Sequence, residues 1–322
     1  MEKKGVIIAR KVAHGRDLSV DLDKAFLVAS FAVANPDKLS TKYVRDIGLN
    51  SALSDMVLRR YGRHPPKTLR PEKVKLEIAG SKVVVDTVAK TLYVRALRLL
   101  LRCEFPPDFG KVRSVLFDSE FAYINLELKP KQKLNVSEWI GVDLNIIGGL
   151  IVAWIPTTGK VIRLGREYHD MMKTYDELQD SARRGRKNAA LNRLTTRRRR
   201  RLNDLLHKIS AEIVRIALRS GCGIRMEQLK GIREKGITEK PMRIMVQSWP
   251  FYKLQTYIKY KCERYGVPVQ LVWTRDTSVR CAMHNLVGRR EGRLLVCPVG
   301  HTVDVDLNAA RNISIAQPRY EF

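Results

Sequence analysis

Cys281-Ala-Met-His284, a basic loop, Cys297-Pro-Val-Gly-His301 and then Asp306-Leu-Asn-Ala-Ala-Arg-Asn312 make up the stretch on which the reading of this sequence turns. Two thiols and two imidazoles at short spacings are donor types suited to a tetrahedral Zn2+ site. The same residues also read as a metal-free knuckle held by packing alone. Asp306 follows directly, between Val305 and Leu307 at the start of a helix-like segment. An Asp there is either an N-cap or, with carboxylate partners, a ligand for a hard cation.

Working back along the chain supplies the partners. Asp143 lies in the apolar segment Trp139-Ile-Gly-Val-Asp143-Leu, and Glu227 closes Gly221-Cys-Gly-Ile-Arg-Met-Glu227. Both segments read as strands, where an ion is expensive to desolvate unless a cation or hydrogen bonds neutralise it. Carboxylates in the order strand-Asp, strand-Glu, helix-Asp can converge on two Mg2+ (or Mn2+) ions. Such a pair activates water and stabilises the leaving oxygen of a phosphodiester.

The bulk composition agrees with a polyanionic partner. In 322 residues there are 60 Lys and Arg against 33 Asp and Glu, a formal charge of +27, with 44% hydrophobic residues to build cores. Nucleic acid is the first candidate, ahead of a ribosomal or anionic-membrane surface. The longest apolar run, Ile146–Ile155, is about half of the roughly 20 residues a membrane-spanning helix requires. Met1-Glu-Lys-Lys-Gly5 is not followed by an apolar block, so no secretory signal is expected. Five scattered cysteines do not make a disulfide framework, and a reducing, cytoplasmic compartment is expected.

Asp21 to Arg63 carries helical spacing (Leu22, Phe26, Leu27, Ala29, then Ala52, Leu53, Met56, Val57), broken at Asn35-Pro-Asp37 and ended by Pro65-Pro66. Val74 to Leu128 changes to short alternating segments that predict a small β-barrel or sheet, with Ala96–Leu101 readable as strand or helix. Beyond the basic connector Lys129–Leu134, three strands with short turns are predicted from Trp139 to Leu164 as an antiparallel sheet. Tyr168 to Arg219 reads as helical with one apolar stripe (Leu191, Leu194, Leu202, Leu205, Ile209, Ile213, Ile216). Trp249–Tyr265 and Asp306–Ile315 read as further helices, and Pro268–Trp273 as a strand.

The charged faces of the long helical region carry Arg183, Arg184, Arg186, Lys187, Arg193, Arg197, Arg198, Arg199, Arg200 and Arg201, and the knuckle loop carries Arg289, Arg290 and Arg293. Like charges this dense repel at helical spacing and call for an anionic partner. They would neutralise phosphates and position a nucleic acid without reading its sequence. A localisation signal or a ribosomal-RNA contact is the competing reading of such a run.

Gly141-Val-Asp143-Leu, Met226-Glu227-Gln-Leu-Lys-Gly231, Thr277-Ser278 ahead of Cys281, and Asp306-Leu-Asn-Ala-Ala-Arg-Asn-Ile313 together resemble the RuvC-like nuclease domain of TnpB proteins. These are transposon-encoded RNA-guided endonucleases related to the compact type V CRISPR effectors. The resemblance implies an α/β plus β chain: residues 1–135 as a wedge-type β-barrel with a helical recognition insert at about 20–66, and 136–322 as an RNase H-like (RuvC) nuclease domain. The latter would carry a basic helical segment at about 166–220 and a knuckle-like insert at about 277–303. It further implies Asp143, Glu227 and Asp306 as catalytic, a Mg2+-dependent endodeoxyribonuclease activity, and a guide RNA and target double-stranded DNA as partners, with no membrane role.

The chain departs from the family pattern of two C-x-x-C pairs at the knuckle, where the first pair is Cys281-x-x-His284 and the second is a cysteine short, Cys297 being followed by Pro-Val-Gly-His301, and at Asn145, where the family commonly has glycine. Cys281, His284, Cys297 and His301 would still be a valid zinc set. The altered knuckle motivates a second reading, an RNA-guided DNA-binding protein that no longer cleaves and acts like a repressor. A third, a DDE-type transposase, shares the metal chemistry but not the closing motif. Oligomeric state is open at this level.

Overall fold

The computed structural model describes residues 6–145, 149–228, 250–272 and 277–317. The chain divides into two compact units, Met1–Pro130 and Lys131–Phe322.

The first unit contains β1 (Ile7–Ala13), α1 (Ser19–Ala34), α2 (Ser51–Arg63), β2 (Leu76–Ala79), β3 (Val83–Asp86), β4 (Thr91–Val94), β5 (Leu99–Arg102), β6 (Phe109–Phe117) and β7 (Phe121–Leu128). Its main sheet has the order β1-β7-β6-β2, all antiparallel, and β3-β4-β5 forms a separate antiparallel sheet. Alternation in β7 buries Ala122, Ile124, Leu126 and Leu128, and the first three join a core with Leu53, Val57, Leu58, Ile78 and Phe117. Two helices stand where helical spacing predicts them, and the ambiguous Ala96–Leu101 resolves into a 3-10 turn at Arg95–Leu97 followed by β5. The strand β1 is the addition. Most of its residues are exposed, so it has no alternation to read, and it exists because Ile7–Ala13 pairs along the edge of β7.

The second unit contains β8 (Trp139–Leu144), β9 (Ile151–Ile155), β10 (Lys160–Leu164), α3 (Glu167–Arg184), α4 (Asn188–Ser220), β11 (Gly223–Glu227), α5 (Phe251–Tyr265), β12 (Val269–Val272), β13 (Arg289–Glu291), β14 (Leu294–Val296), β15 (Thr302–Asp304) and α6 (Val305–Ile315). Its five-stranded sheet has the order β10-β9-β8-β11-β12. The first three strands are antiparallel as predicted, while β11 runs parallel to β8 and β12.

The two-residue period sorts this sheet's side chains. Ile140, Val142, Ala153, Ile162, Ile224 and Met226 face one side, forming a core with Leu206, Ile209 and Ile213 of α4 and Leu254 and Ile258 of α5. The alternate residues, Gly141, Asp143, Trp154, Arg163, Arg225 and Glu227, face the other side. There α6 lies so close on β8 that a Cβ on Gly141 would fall 1.9 Å from the Ala310 carbonyl oxygen and 2.5 Å from the Ser314 nitrogen. Arg225 Nη1 donates to the Ser314 carbonyl at 2.7 Å, and the Arg311 guanidinium sits 4.2 Å over the Trp154 ring, fixing the helix to the sheet.

The helical region predicted from Tyr168 to Arg219 is two helices, broken at Gly185–Lys187, where Arg186 takes φ 52°. Within the knuckle, the expected basic loop between His284 and Cys297 contains the hairpin β13–β14, to which β15 adds a third antiparallel strand. Ile146–Gly148, Leu229–Gly231, Trp249 and Trp273, to which the predicted segments extend, lie outside the described residues.

Candidate active site

The register of the sheet brings two of the predicted carboxylates level. Met226 pairs with Val142, so Glu227 and Asp143, one residue on, end neighbouring parallel strands on the face beneath α6. Asp306 enters that face from the first turn of α6 and is 8% exposed. Burial first, then the charges of Asp306, Glu227 and Asp304, push the Asp143 carboxyl up to about 7, and only the Asn145 amide, donating to Asp143 Oδ2 at 3.5 Å, opposes this. Close-set like charges do this, since each carboxylate resists the ionisation of the next. The three residues proposed from sequence are thus neighbours, and the negative charge gathered on them is what a divalent cation with oxygen ligands would relieve.

Asp304 is a fourth acidic member that sequence reading missed. Its Oδ1 accepts from the backbone N–H groups of Asp306 and Leu307, both at 3.1 Å, capping α6 and fixing the backbone that carries Asp306. Burial raises its pKa, but the Leu307 amide, Arg163 and Arg293 outweigh that and hold it below the ordinary carboxylate range. The signal available was the alternation Val303-Asp304-Val305-Asp306, in which the first Asp is placed to cap the helix the second one opens.

Two arginines close the site. Arg293, grouped by sequence with the phosphate-binding residues, stands at the β13–β14 turn and bonds Asp306 Oδ2. Arg163 of β10, not singled out from sequence, donates from Nη2 to Asp304 Oδ1 at 3.1 Å, with Nη1 3.9 Å from Asp306 Oδ2.

The knuckle residues also converge. Cys281 Sγ lies 3.6 Å from His284 Nδ1 and 3.4 Å from His301 Nδ1, while Cys297 Sγ lies 3.4 Å from His284 Nδ1. Zn–S and Zn–N bonds of about 2.3 and 2.0 Å at tetrahedral angles put ligand atoms about 3.5 Å apart. Cys281, His284 and His301 thus bring donor atoms within 4.8 Å of one another, a spacing that fits Zn2+, with Cys297 beside His284 as the fourth thiol or imidazole of the knuckle. Burial pushes the Cys281 thiol up, but the His284 and Met283 amides, Cys297 and the Arg311 charge outweigh it, leaving the thiol below its ordinary value, as a metal-binding thiolate requires. The knuckle's own core is small, consisting of Cys281, Leu295, Cys297, Val303 and Val305 with Leu307 against it.

Asn308 and Asn312, one turn apart on α6, tie the knuckle to the helix. Each side-chain amide donates to the carbonyls of Thr277 at 2.9 Å and Arg280 at 2.7 Å, and Asn308 Oδ1 accepts from the Ala282 N–H at 2.8 Å.

The basic residues named from sequence do not form one set. Arg183, Arg184, Arg186, Lys187, Arg193, Arg197, Arg199, Arg200 and Arg201 are exposed, and so are Arg289 and Arg290 on the knuckle. Arg183 pairs with Asp180, and Arg289 with Glu291. Arg198 turns inward instead, bonding Asp176 at 2.9 Å and Gln179 at 3.1 Å, so that it joins α3 to α4. Among the described residues no helix is long and apolar enough to cross a membrane.

Residues 251–313 match the family described as Cas12f1-like, TNB domain. Over 217 residues the chain is 28% identical to the CRISPR-associated endodeoxyribonuclease Cas12f1 of Sulfoacidibacillus thermotolerans, covering 60% of this chain and 50% of that protein. Over 198 residues it is 30% identical to the TnpB-like protein ORF457 of Acidianus two-tailed virus, covering 57% of this chain and 42% of the other. The chain thus aligns with half or less of these relatives' length. Among solved structures, a Cas12f1 chain in complex with sgRNA and target DNA superposes at a TM-score of 0.47 with 14% identity, over 96% of this chain and 99% of that one.

Proposed function

We propose that this chain, a relative of the TnpB-like proteins and of Cas12f1, is an RNA-guided DNA endonuclease that hydrolyses phosphodiester bonds at Asp143, Glu227 and Asp306. The observation that carries the reading is the meeting of these carboxylates on one face of the sheet, where burial and then their mutual charge raise Asp143 to about 7. Two Mg2+ or Mn2+ ions held there would activate a water and stabilise the leaving oxygen.

The chain's own part is positional. The strand ends of β8 and β11 hold Asp143 and Glu227, the Asn145 amide orients the first, and Asp304 fixes the helix start under Asp306. Cys281, His284, Cys297 and His301 would hold Zn2+ as a structural centre, setting the hairpin that carries Arg293. In this reading residues 1–135 serve as the wedge-type domain with its helical insert and 136–322 as the RuvC-like nuclease. The exposed arginines of α4 and its flanks would track phosphates while a guide RNA reads the target by base pairing.

The test joins sequencing of the RNA that co-purifies with the protein to a cleavage assay with a matching target. Asp143→Ala should abolish cutting in Mg2+ while RNA and DNA binding stay near wild type. A wild-type complex that binds its target but nicks it in neither Mg2+ nor Mn2+ would replace this reading with that of a non-cleaving, repressor-like binding protein.

A further inference from the structure

Arg163 lies on β10 opposite Val152 of β9, which is itself opposite Asp143 of β8. Paired residues on adjacent strands point to the same face, so the guanidinium stands in line with the carboxylates, two strands from Asp143 and beneath the start of α6. The side chain is 24% exposed and is shared unequally between two acids: Nη2 is 3.1 Å from Asp304 Oδ1, and Nη1 is 3.9 Å from Asp306 Oδ2.

The inequality matters because the two acids have different duties. Asp304 is committed to capping α6 and keeps that role whatever binds nearby. Asp306 is a proposed ligand of a divalent ion, and its carboxylate cannot serve a guanidinium and a metal equally well. Arg293 also neutralises Asp306, but from an exposed hairpin turn. Arg293 also lies 3.9 Å from Asp304 Oδ2, but Arg163 is the one held on the central sheet, and its closer contact to Asp304, at 3.1 Å, anchors it when Asp306 changes partner. Its planar fork of donors matches phosphate oxygens as well as carboxylates.

We propose that Arg163 is an exchangeable counter-cation of this site, anchored on Asp304. It neutralises Asp306 while no divalent ion is bound and yields that carboxylate to the ion. The freed Nη1 then donates to a non-bridging oxygen of the phosphodiester lying over the carboxylates. The phosphate half rests on the nuclease reading above; the exchange half rests on the contacts and on Asp306 as a ligand of the ion, whether or not the site cuts.

Both halves can be read on the full-length chain. Mn2+ titration followed by electron paramagnetic resonance should show Arg163→Ala binding Mn2+ several-fold more tightly than wild type, because a competing cation is gone. At saturating Mn2+ the same variant, loaded with guide RNA, should cut about a hundredfold more slowly, the scale of losing one donor to a developing charge. Arg163→Lys should restore the wild-type Mn2+ affinity but only part of the rate, since a point charge cannot span two partners. This variant also guards against a fold defect in Arg163→Ala.

Mn2+ affinity unchanged or weakened in Arg163→Ala would overturn the exchange, and a wild-type cutting rate in that variant would overturn the phosphate contact. A wild-type chain that binds Mn2+ without ever cutting overturns the nuclease reading and the phosphate half together. The Mn2+ comparison then decides the exchange by itself.

Discussion

Asp143 shows how one side chain can be costly to the fold and necessary to the site. Burial and three neighbouring carboxylates lift it from 3.8 to about 7. A folded-state pKa above the unfolded one means that the folded chain binds the extra proton. Its stabilising effect is complete below about pH 4 and is lost as pH rises through 7. In metal-free protein, Asp143→Asn should therefore raise the melting temperature at pH 8 and change it little at pH 4, as calorimetry at the two pH values would show. Equal shifts at both pH values would mean that Asp143 is not the group under strain. Asp143 and Glu227 were legible in the sequence because a carboxylate in an apolar strand needs a reason. Arg163 and Asp304 were not, because a cation on an edge strand and an Asp before a helix both have ordinary explanations.

The element that organises the site is α6. Its N-terminus presents Asp306, its middle is pressed onto Gly141 of β8, and its two asparagines grip the base of the knuckle. The knuckle's few buried side chains make too small a core to fold alone, so it depends on this grip and, in the proposed reading, on Zn2+. Asn308→Ala removes bonds to Thr277, Arg280 and Ala282; Asn312 still donates to both carbonyls, so the cost is about 1 kcal/mol and falls mainly on the Ala282 N–H. The expected outcome is faster loss of Zn2+ to a chelator, followed with a colorimetric zinc indicator, while the melting of the central sheet moves little. Zinc release at the wild-type rate would contradict the clamp. The asparagines were visible in the sequence as part of a recognisable string, but only the packing of α6 gives them a duty. Likewise the hairpin β13–β14 escaped sequence reading because its strands are three residues each, too short to show a period, and β13 is Arg-Arg-Glu.

For the molecule as a whole, the charge of +27 sets the expectation that binding to nucleic acid is driven by counterion release. The logarithm of the affinity for duplex DNA should fall linearly with the logarithm of salt concentration, by about 0.9 for each phosphate neutralised. Replacing Arg197, Arg199 and Arg200 together by Ala should flatten that slope by roughly 2–3, measured by fluorescence anisotropy. Arg198→Ala should leave the slope nearly unchanged and lower stability instead, because that side chain is spent on Asp176 and Gln179. An equal slope change from Arg198 would remove the distinction between structural and phosphate-facing arginines on α4.

By itself the sequence determined which residues are chemically out of place: ions in apolar strands, thiols and imidazoles at ligand spacing, and a helix with more positive charge than a solvated face requires. It also determined the order of the elements that carry them, because hydrophobic periodicity is a local property of the chain. Tertiary structure alone decided which distant residues share a row. The register of β8, β9, β10 and β11 put Arg163 in line with Asp143 and Glu227. Pairing across strands is set by the packing of side chains remote in sequence, and no local pattern records it.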